Sequence, residues 1–337
     1  MKKEGFPTLI KLEGVEAFQG YLITWFANVA STYLINLKLS SLTKDEVSLL
    51  CQEADNYVRD LKTRKPEACE EVPVPLTQND EPEYFDLCKA VEFICDYARG
   101  KPRILRLEPA FSLEFTEYVR SFIPKITSKT LKREVVGVES ILHGLAVIGA
   151  HISRAYIGRE SGYVFVDVPN PAAIDYRKLS GMIITITREV INNNGSKLSL
   201  LVGIASAMAL IYGRELKNVS KEPQLGINFV RLSRTGNRII IKAFEVIDLT
   251  SLASRVYRLG IASPIYNMIS RYPPEKHVLR SFIERLSKAI IIYELLNDHK
   301  EIYATLRALT SEKILGELRN YYKERSEIID DLLKIRI

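Results

Sequence analysis

The stretch GINFVRLSRTGNRIIIKAFEVI, residues 226–247, decides how this chain reads. Two runs rich in β-branched and aromatic residues flank Arg234, Thr235, Gly236 and Asn237. Gly and Asn accept the positive φ that a tight antiparallel turn demands, so the spacing predicts a β-hairpin. From Pro223 to Phe244 the chain carries four cations, Arg231, Arg234, Arg238 and Lys242, and no acid. A stiff two-stranded ribbon with a cationic tip and the amide of Asn237 is shaped to touch phosphates and reach into a groove. Basic hairpins also blunt exposed sheet edges, so a solvated edge is the second reading of the same residues.

Charge is segregated elsewhere too. Residues 99–133 hold nine cations against three acids, an excess equal to the +6 of the whole 337-residue chain. Residues 67–86 hold seven acids and no cation. Such segregation favours an interaction surface over random solubilising charge, although a net +6 permits a polyanion partner without demanding one. Within the basic stretch Lys125, Lys129, Lys132 and Arg133 recur at helical spacing, within reach of successive phosphates. A merely solvated helix face would look the same. Arg154 and Arg159, with Arg177 and Lys178, flank a strand near 162–168 and would widen a cationic groove if they share a side with the hairpin.

The periodicity predicts an α+β fold, mostly helical, with a small antiparallel sheet that includes the hairpin and with a C-terminal helical bundle. An extended start at 8–12 precedes a helix over 15–37, and Thr43 to Glu46 form a capping box that opens a second helix to about 63. An acidic loop with Pro66, Pro73, Pro75 and Pro82 follows, then a helix that stops at Gly100. From Glu139 the pattern changes to a helix containing Gly144 and Gly149. Helices are expected near 174–193 and 198–214, the last lined with Gly203, Ala205, Ser206, Ala207 and Ala209, small residues that let another helix approach closely, and three or four more follow the hairpin. Composition divides the chain into a mostly helical region 1–138, an α+β region 139–260 and a helical region 261–337. Residues 275–337 are nearly neutral, 12 cations against 11 acids, a pattern suited to exposed helical faces that meet partner proteins.

Several classes are set aside. Residues 198–212 are apolar but span only about 22 Å as a helix, short of a bilayer core of about 30 Å. Residues 20–37 carry no charge but include Asn28, Ser31, Thr32 and Asn36. Both read as buried helices, with no leader pattern at the terminus, and the expected location is cytoplasmic, with no membrane partner. The cysteines, Cys51, Cys69, Cys88 and Cys95, contain no CxxC pair, and the histidines, His143, His151, His277 and His299, lie far from them. Neither a metal site nor disulfides are expected, and Cys88 and Cys95, seven apart, read as small core residues on one helix face. Scarce Gln beside abundant Ile, Tyr, Lys, Glu and Arg is the bias of a thermophile.

No phosphate-binding glycine loop, nucleophile elbow or zinc-protease pattern occurs. His143 and His151 stand eight apart on an apolar helix without a carboxylate pair, and read as satisfied core or surface histidines. Arg271 and His277 match the Arg-to-His spacing of HEPN ribonucleases, but Pro273 and Pro274 break the helix that should present both side chains, so His277 reads as a helix-start residue. The chain is expected to be no enzyme, with no cofactor.

Ile227 to Asn237 and Phe244 to Thr250 resemble the large subunit of archaeal type I-A CRISPR surveillance complexes (Cascade), as do the strand Gly162 to Pro169 and the run Ile269 to Pro273 with the helices after it. The resemblance covers residues 140–315. It implies a non-catalytic subunit at the 5′-handle end of the CRISPR RNA, beside the backbone, handle-binding and small subunits. Such a subunit helps read the protospacer-adjacent motif on target DNA, stabilises the R-loop and recruits the helicase–nuclease. R-loop formation is nearly balanced energetically, so a few protein contacts decide whether the duplex opens. On that reading the tip residues Arg234, Asn237 and Arg238 contact the groove, Arg231 and Lys242 also bind nucleic acid, and Lys125, Lys129, Lys132 and Arg133 hold phosphates. The alternatives are a purely structural subunit of the same complex, without direct DNA readout, and a HEPN-like ribonuclease built on Arg271 and His277.

Overall fold

The computed structural model of the chain describes residues 9–10, 22–39, 42–75, 85–106, 111, 137–156, 160–167, 174–213, 225–235, 238–298, 300–308 and 311–322. Among them the fold is α+β and mostly helical, with a four-stranded antiparallel sheet, as the periodicity predicts. The chain divides into two compact units. Unit 1 is Met1–Tyr163 with Phe229–Glu245, and unit 2 is Val164–Asn228 with Val246–Ile337. This division does not follow the compositional ones at 138 and 260, because long-range packing groups residues that composition separates.

Among the described residues unit 1 is built on four helices: α1 (Leu22–Ile35), α2 (Lys44–Arg64), α3 (Leu87–Ala98) and α4 (Ser140–Ser153). Thr43 caps α2 as expected. Its Oγ1 accepts the Glu46 N–H at 3.2 Å, and Glu46 Oε2 accepts the Thr43 N–H at 2.6 Å. Asp86 caps α3 by accepting from the backbone N–H groups of Cys88 and Lys89. Helix α4 is apolar on every side, and all its residues but His151 are buried. A helix of that kind must be covered all round, and α1 and α3 pack against it. Its glycines permit this: a Cβ at Gly149 would overlap the Phe26 carbonyl of α1.

Aromatic rings fill the space beside α4. Phe26 lies 5.0 Å from Tyr163 and 6.3 Å from Phe111, and Phe85 lies 5.5 Å from Phe111. The Tyr163 hydroxyl donates to the Pro73 carbonyl at 2.7 Å, which pins the loop after a short 3-10 turn, η1 (Pro66–Glu70), to the core.

The cysteines correct the sequence expectation. Cys51 of α2 is bonded to Cys95 of α3, and Cys69 of η1 to Cys88 of α3, with Cα separations of 4.8 and 5.2 Å. Packing of α2 on α3 brings together residues 44 apart, which no spacing rule reveals. Cys88 and Cys95 do share a face of α3, but that face meets partner cysteines rather than only apolar core.

Strands β1 (Leu9–Ile10) and β2 (Leu42–Thr43) pair antiparallel, as do β3 (Ile104–Arg106) and β4 (Gly137–Glu139). The main sheet has the order β5 (Arg154–Tyr156), β6 (Glu160–Asp167), β7 (Gly226–Thr235), β8 (Arg238–Asp248). The expected hairpin is therefore β7–β8, and it forms half of a sheet.

Unit 2 centres on α6 (Lys197–Tyr212), which packs against α5 (Tyr176–Asn192), α7 (Thr250–Arg258), α8 (Ala262–Ile269) and α9 (Val278–Leu296). The small-residue stripe works as expected: a Cβ at Gly203 would meet Ile269 Cγ2 at 2.8 Å and Ile186 Cγ2 at 3.0 Å, so α8 and α5 approach its backbone closely. Arg280 of α9 donates through Nη1 to the Asn193 carbonyl at 2.8 Å, satisfying the exposed end of α5. Arg255 of α7 pairs with Glu294 of α9 at 3.1 Å and lies over the Tyr293 ring. Two further helices, α10 (Lys300–Arg307) and α11 (Glu312–Tyr321), pack on α9. Five helices thus follow the hairpin among the described residues, not three or four. Among those residues no helix is long and apolar enough to cross a membrane.

Replacing Gly149 by Ala should force α4 away from α1 and destabilise unit 1 by about 2 kcal/mol or more, whereas Gly181→Ala, where a Cβ meets nothing within 4 Å, should be neutral or mildly stabilising. Denaturant unfolding of the two variants beside the parent checks the contrast.

Candidate nucleic-acid interface

In β7 Val230 and Leu232 are buried on one face and Ile227 and Ser233 on the other, and in β8 Ile239 and Ile241 are buried. Arg231, Arg234 and Lys242 are exposed. Only residues 236 and 237 separate the strands. By alternation along each strand Arg231 faces away from Leu232, and Lys242 away from Ile241. Arg231 and Arg234, three apart along one strand, point to opposite faces, and Arg234 reaches solvent because it lies near the tip. The cations are thus not a single stripe. Arg231 and Lys242 lie exposed along the strands, and Arg234 belongs to the tip.

Ile240 and Phe244 share the face of Lys242, and Phe244 packs edge-on against Trp25 of α1 at 6.0 Å, which ties β8 to that helix. Arg238 opens β8, but its side chain lies outside the described residues, as do Asn237, Lys125, Lys129, Lys132 and Arg133.

Other cations of the proposed surface are engaged within the fold. Arg103 donates to Asp96 at 2.6 Å and lies 3.6 Å from Glu92, and Arg99 lies 3.8 Å from Asp96. Part of the 99–133 excess is therefore held against α3. Arg154, expected beside a cationic groove, turns to Glu71 instead and is mostly buried. Arg177 and Lys178 lie exposed in the first turn of α5.

Glu71 is the hub of a polar network that no local pattern announces. It accepts from Lys65 Nζ and Arg154 Nη2, and its Oε2 lies 3.4 Å from His151 Nε2. His151 Nδ1 in turn meets the Tyr57 hydroxyl at 2.7 Å. Burial raises the Glu71 pKa, but hydrogen bonds from Lys65 and Arg154 and the charges of Arg154 and His151 outweigh it and hold the carboxyl at about 2. The network joins residues up to 94 positions apart. Every cation in it already faces a carboxylate, so its chemistry is that of a brace.

His143 is different from His151 and from the expectation of a satisfied histidine. It is fully buried among Phe85, Phe93 and Phe111, at 5.7, 6.0 and 5.4 Å between ring centroids. Neither ring nitrogen has a hydrogen-bond partner among the described residues. Burial lowers its pKa from 6.5 to about 4, so the ring is neutral at pH 7.

Two further groupings bear on chemistry. Cys69, Asp86 and Cys88 bring two sulfurs and a carboxylate oxygen within 4.8 Å of one another. The sulfurs are bonded to each other, so neither presents the thiolate that a soft metal takes. His277 is the N-cap of α9: its Nδ1 accepts the Leu279 N–H at 3.2 Å, and its ring stacks on Tyr321. Tyr272, the residue after Arg271, is buried with its hydroxyl on Glu284 at 3.0 Å. The ring nitrogen that caps the helix is not available as a general base.

No family model matches the chain, and neither a curated protein nor a solved structure matches it.

The buried neutral His143 makes a pH prediction. Its folded pKa lies below the unfolded value, so the stability that it contributes is complete above pH 6.5 and is lost as the pH falls towards 4. By pH 4 the loss should reach about 3 kcal/mol. His143→Leu should remove that part of the pH dependence, as read by denaturant unfolding of the variant and the parent between pH 7 and 4.

Proposed function

We propose that this protein is a non-catalytic nucleic-acid-binding subunit, and that the β7–β8 hairpin is its phosphate-contacting element. The observation that carries the reading is the exposure of Arg231, Arg234 and Lys242 together on one hairpin whose Val230, Leu232, Ile239 and Ile241 are buried. Anchored cations of this kind meet phosphates with little conformational freedom left to lose. The resemblance of residues 140–315 to the large subunit of type I-A Cascade supplies the finer reading. On it the ligand is target DNA beside a CRISPR RNA, the hairpin contacts the duplex near the protospacer-adjacent motif, and the neutral C-terminal helices dock partner subunits and the helicase–nuclease. Coupling a few cationic contacts to duplex opening suits a nearly balanced exchange of strands.

A purely structural subunit is the second reading. It is favoured by the internal pairing of Arg154 with Glu71, which takes that cation out of the supposed binding surface, and by the partial neutralisation of Arg99 and Arg103 by Asp96. The ribonuclease reading has less behind it, because His277 is spent as a cap.

A gel-shift titration of the full chain against duplex DNA over a range of salt separates the first two readings. Binding should weaken with salt, and Arg231→Ala/Lys242→Ala should lower affinity on all sequences and reduce the log–log salt slope by about one per cation removed. Asn237→Ala should instead relax motif preference in the assembled complex while leaving the slope near its original value. Salt-independent binding, or none, would favour the structural subunit.

A further inference from the structure

Glu71 holds three elements of unit 1 with one carboxylate. Lys65 ends α2, His151 lies in the last turn of α4, and Arg154 begins β5. The backbone that presents it is held by the Tyr163 hydroxyl on the Pro73 carbonyl and by buried Ala68 and Val74, with few hydrogen bonds of its own. The Glu71 N–H reaches the Ala68 carbonyl only at 3.4 Å, at the long limit of a hydrogen bond. Pro66 and Pro73, on either side, offer no N–H at all. What ties η1 to its neighbour is covalent: Cys69, two residues before Glu71, is bonded to Cys88 in the first turn of α3.

The other disulfide stands in a different setting. Cys51–Cys95 joins α2 and α3, two long helices that pack directly on one another. Breaking it would leave both helices held by Val47, Leu50, Ala54 and Val58 on one side and by Ala90, Phe93 and Ile94 on the other, all buried. Breaking Cys69–Cys88 would leave a five-residue turn held by the buried side chains of Ala68 and Cys69 and, beyond Glu71, by Val74 and the Tyr163–Pro73 hydrogen bond, a smaller apolar contact than the one between α2 and α3.

We propose that Cys69–Cys88 is a redox latch: its bond sets the position of Glu71, and its opening loosens the grip of Glu71 on Lys65, His151 and Arg154. Opening is a two-electron exchange with a dithiol reductant. A thiolate of the reductant attacks one sulfur of the pair, and its second thiol resolves the mixed disulfide. The reductant leaves as a disulfide, and Cys69 and Cys88 each end as thiols. Closure is the reverse exchange with an oxidised dithiol. Unlike the Cys51–Cys95 staple, the latch transmits the thiol state of the chain to the first strand of the main sheet, through Arg154 of β5. The inference does not depend on what the hairpin binds.

Hydrogen exchange read by mass spectrometry on the full chain tests it. In the oxidised protein amides 66–75 should be protected, and Cys69→Ser/Cys88→Ser should speed their exchange by about tenfold or more. Cys51→Ser/Cys95→Ser should leave the same amides as they are in the parent. Glu71→Gln should lower the unfolding midpoint of the parent clearly and that of Cys69→Ser/Cys88→Ser by less than half as much, because a displaced carboxylate has little left to lose. Should Cys69→Ser/Cys88→Ser fail to fold, dithiol titration of Cys51→Ser/Cys95→Ser, which keeps only the latch, gives the same reading. The proposal falls if 66–75 exchange alike with the bond open and closed. It also falls if Glu71→Gln costs the same in both backgrounds, or if the oxidised chain titrates four free thiols under denaturing conditions.

Discussion

A helix without a polar face cannot stand at a surface, and α4 is such a helix. Its apolar residues at every angle require cover on all sides, and in unit 1 α1, α3 and the aromatic side chains of Phe26, Phe85, Phe93, Phe111 and Tyr163 are gathered around it. Close approach is possible only because Gly149 lets the Phe26 carbonyl sit where a methyl group would be. The position of α4 in turn places His143 inside the aromatic cluster and His151 at the edge, where it meets Tyr57 and Glu71. One burial constraint thus fixes a neutral histidine in the core and a charge network at the rim.

Unit 2 repeats the principle with α6. Small residues on that helix allow several neighbours to share its surface, and the flanking ion pairs, Arg255 with Glu294 and Arg280 with Glu284 and the end of α5, sit where α9 meets those neighbours. These side chains are between 12% and 35% exposed, so desolvation offsets much of their attraction and the pairs orient the helices more than they stabilise them. Burial of Ile186, Ile204, Met208, Ile265 and Ile269 supplies the larger share.

Much of the architecture was legible in the order of residues. The capping box at Thr43, the stop at Gly100 and the helices over 176–192 and 197–212 are local features, governed by hydrogen bonds a few residues apart. The hairpin was legible for the same reason: its turn and its alternation are written within 22 residues. The functional surface was only partly legible. Arg99, Arg103 and Arg154 count as cations in composition, yet Arg99 and Arg103 face Asp96 near the end of α3, and Arg154 faces Glu71, 83 residues away. Charge counting sees the guanidinium but not the acid that folding brings to it.

By itself the sequence determined the kind of structure: helices of stated length, a short basic ribbon, and the lack of an apolar helix long enough for a bilayer among the described residues. Those follow from periodicity and local capping, which act over a few residues. Only the tertiary structure decided which cysteines meet, which arginines face solvent, and that His143 is stranded among phenylalanines while His151 is not. Each of these depends on pairs separated by tens of residues, and nothing in the linear order of the chain specifies the helix packing that brings them together.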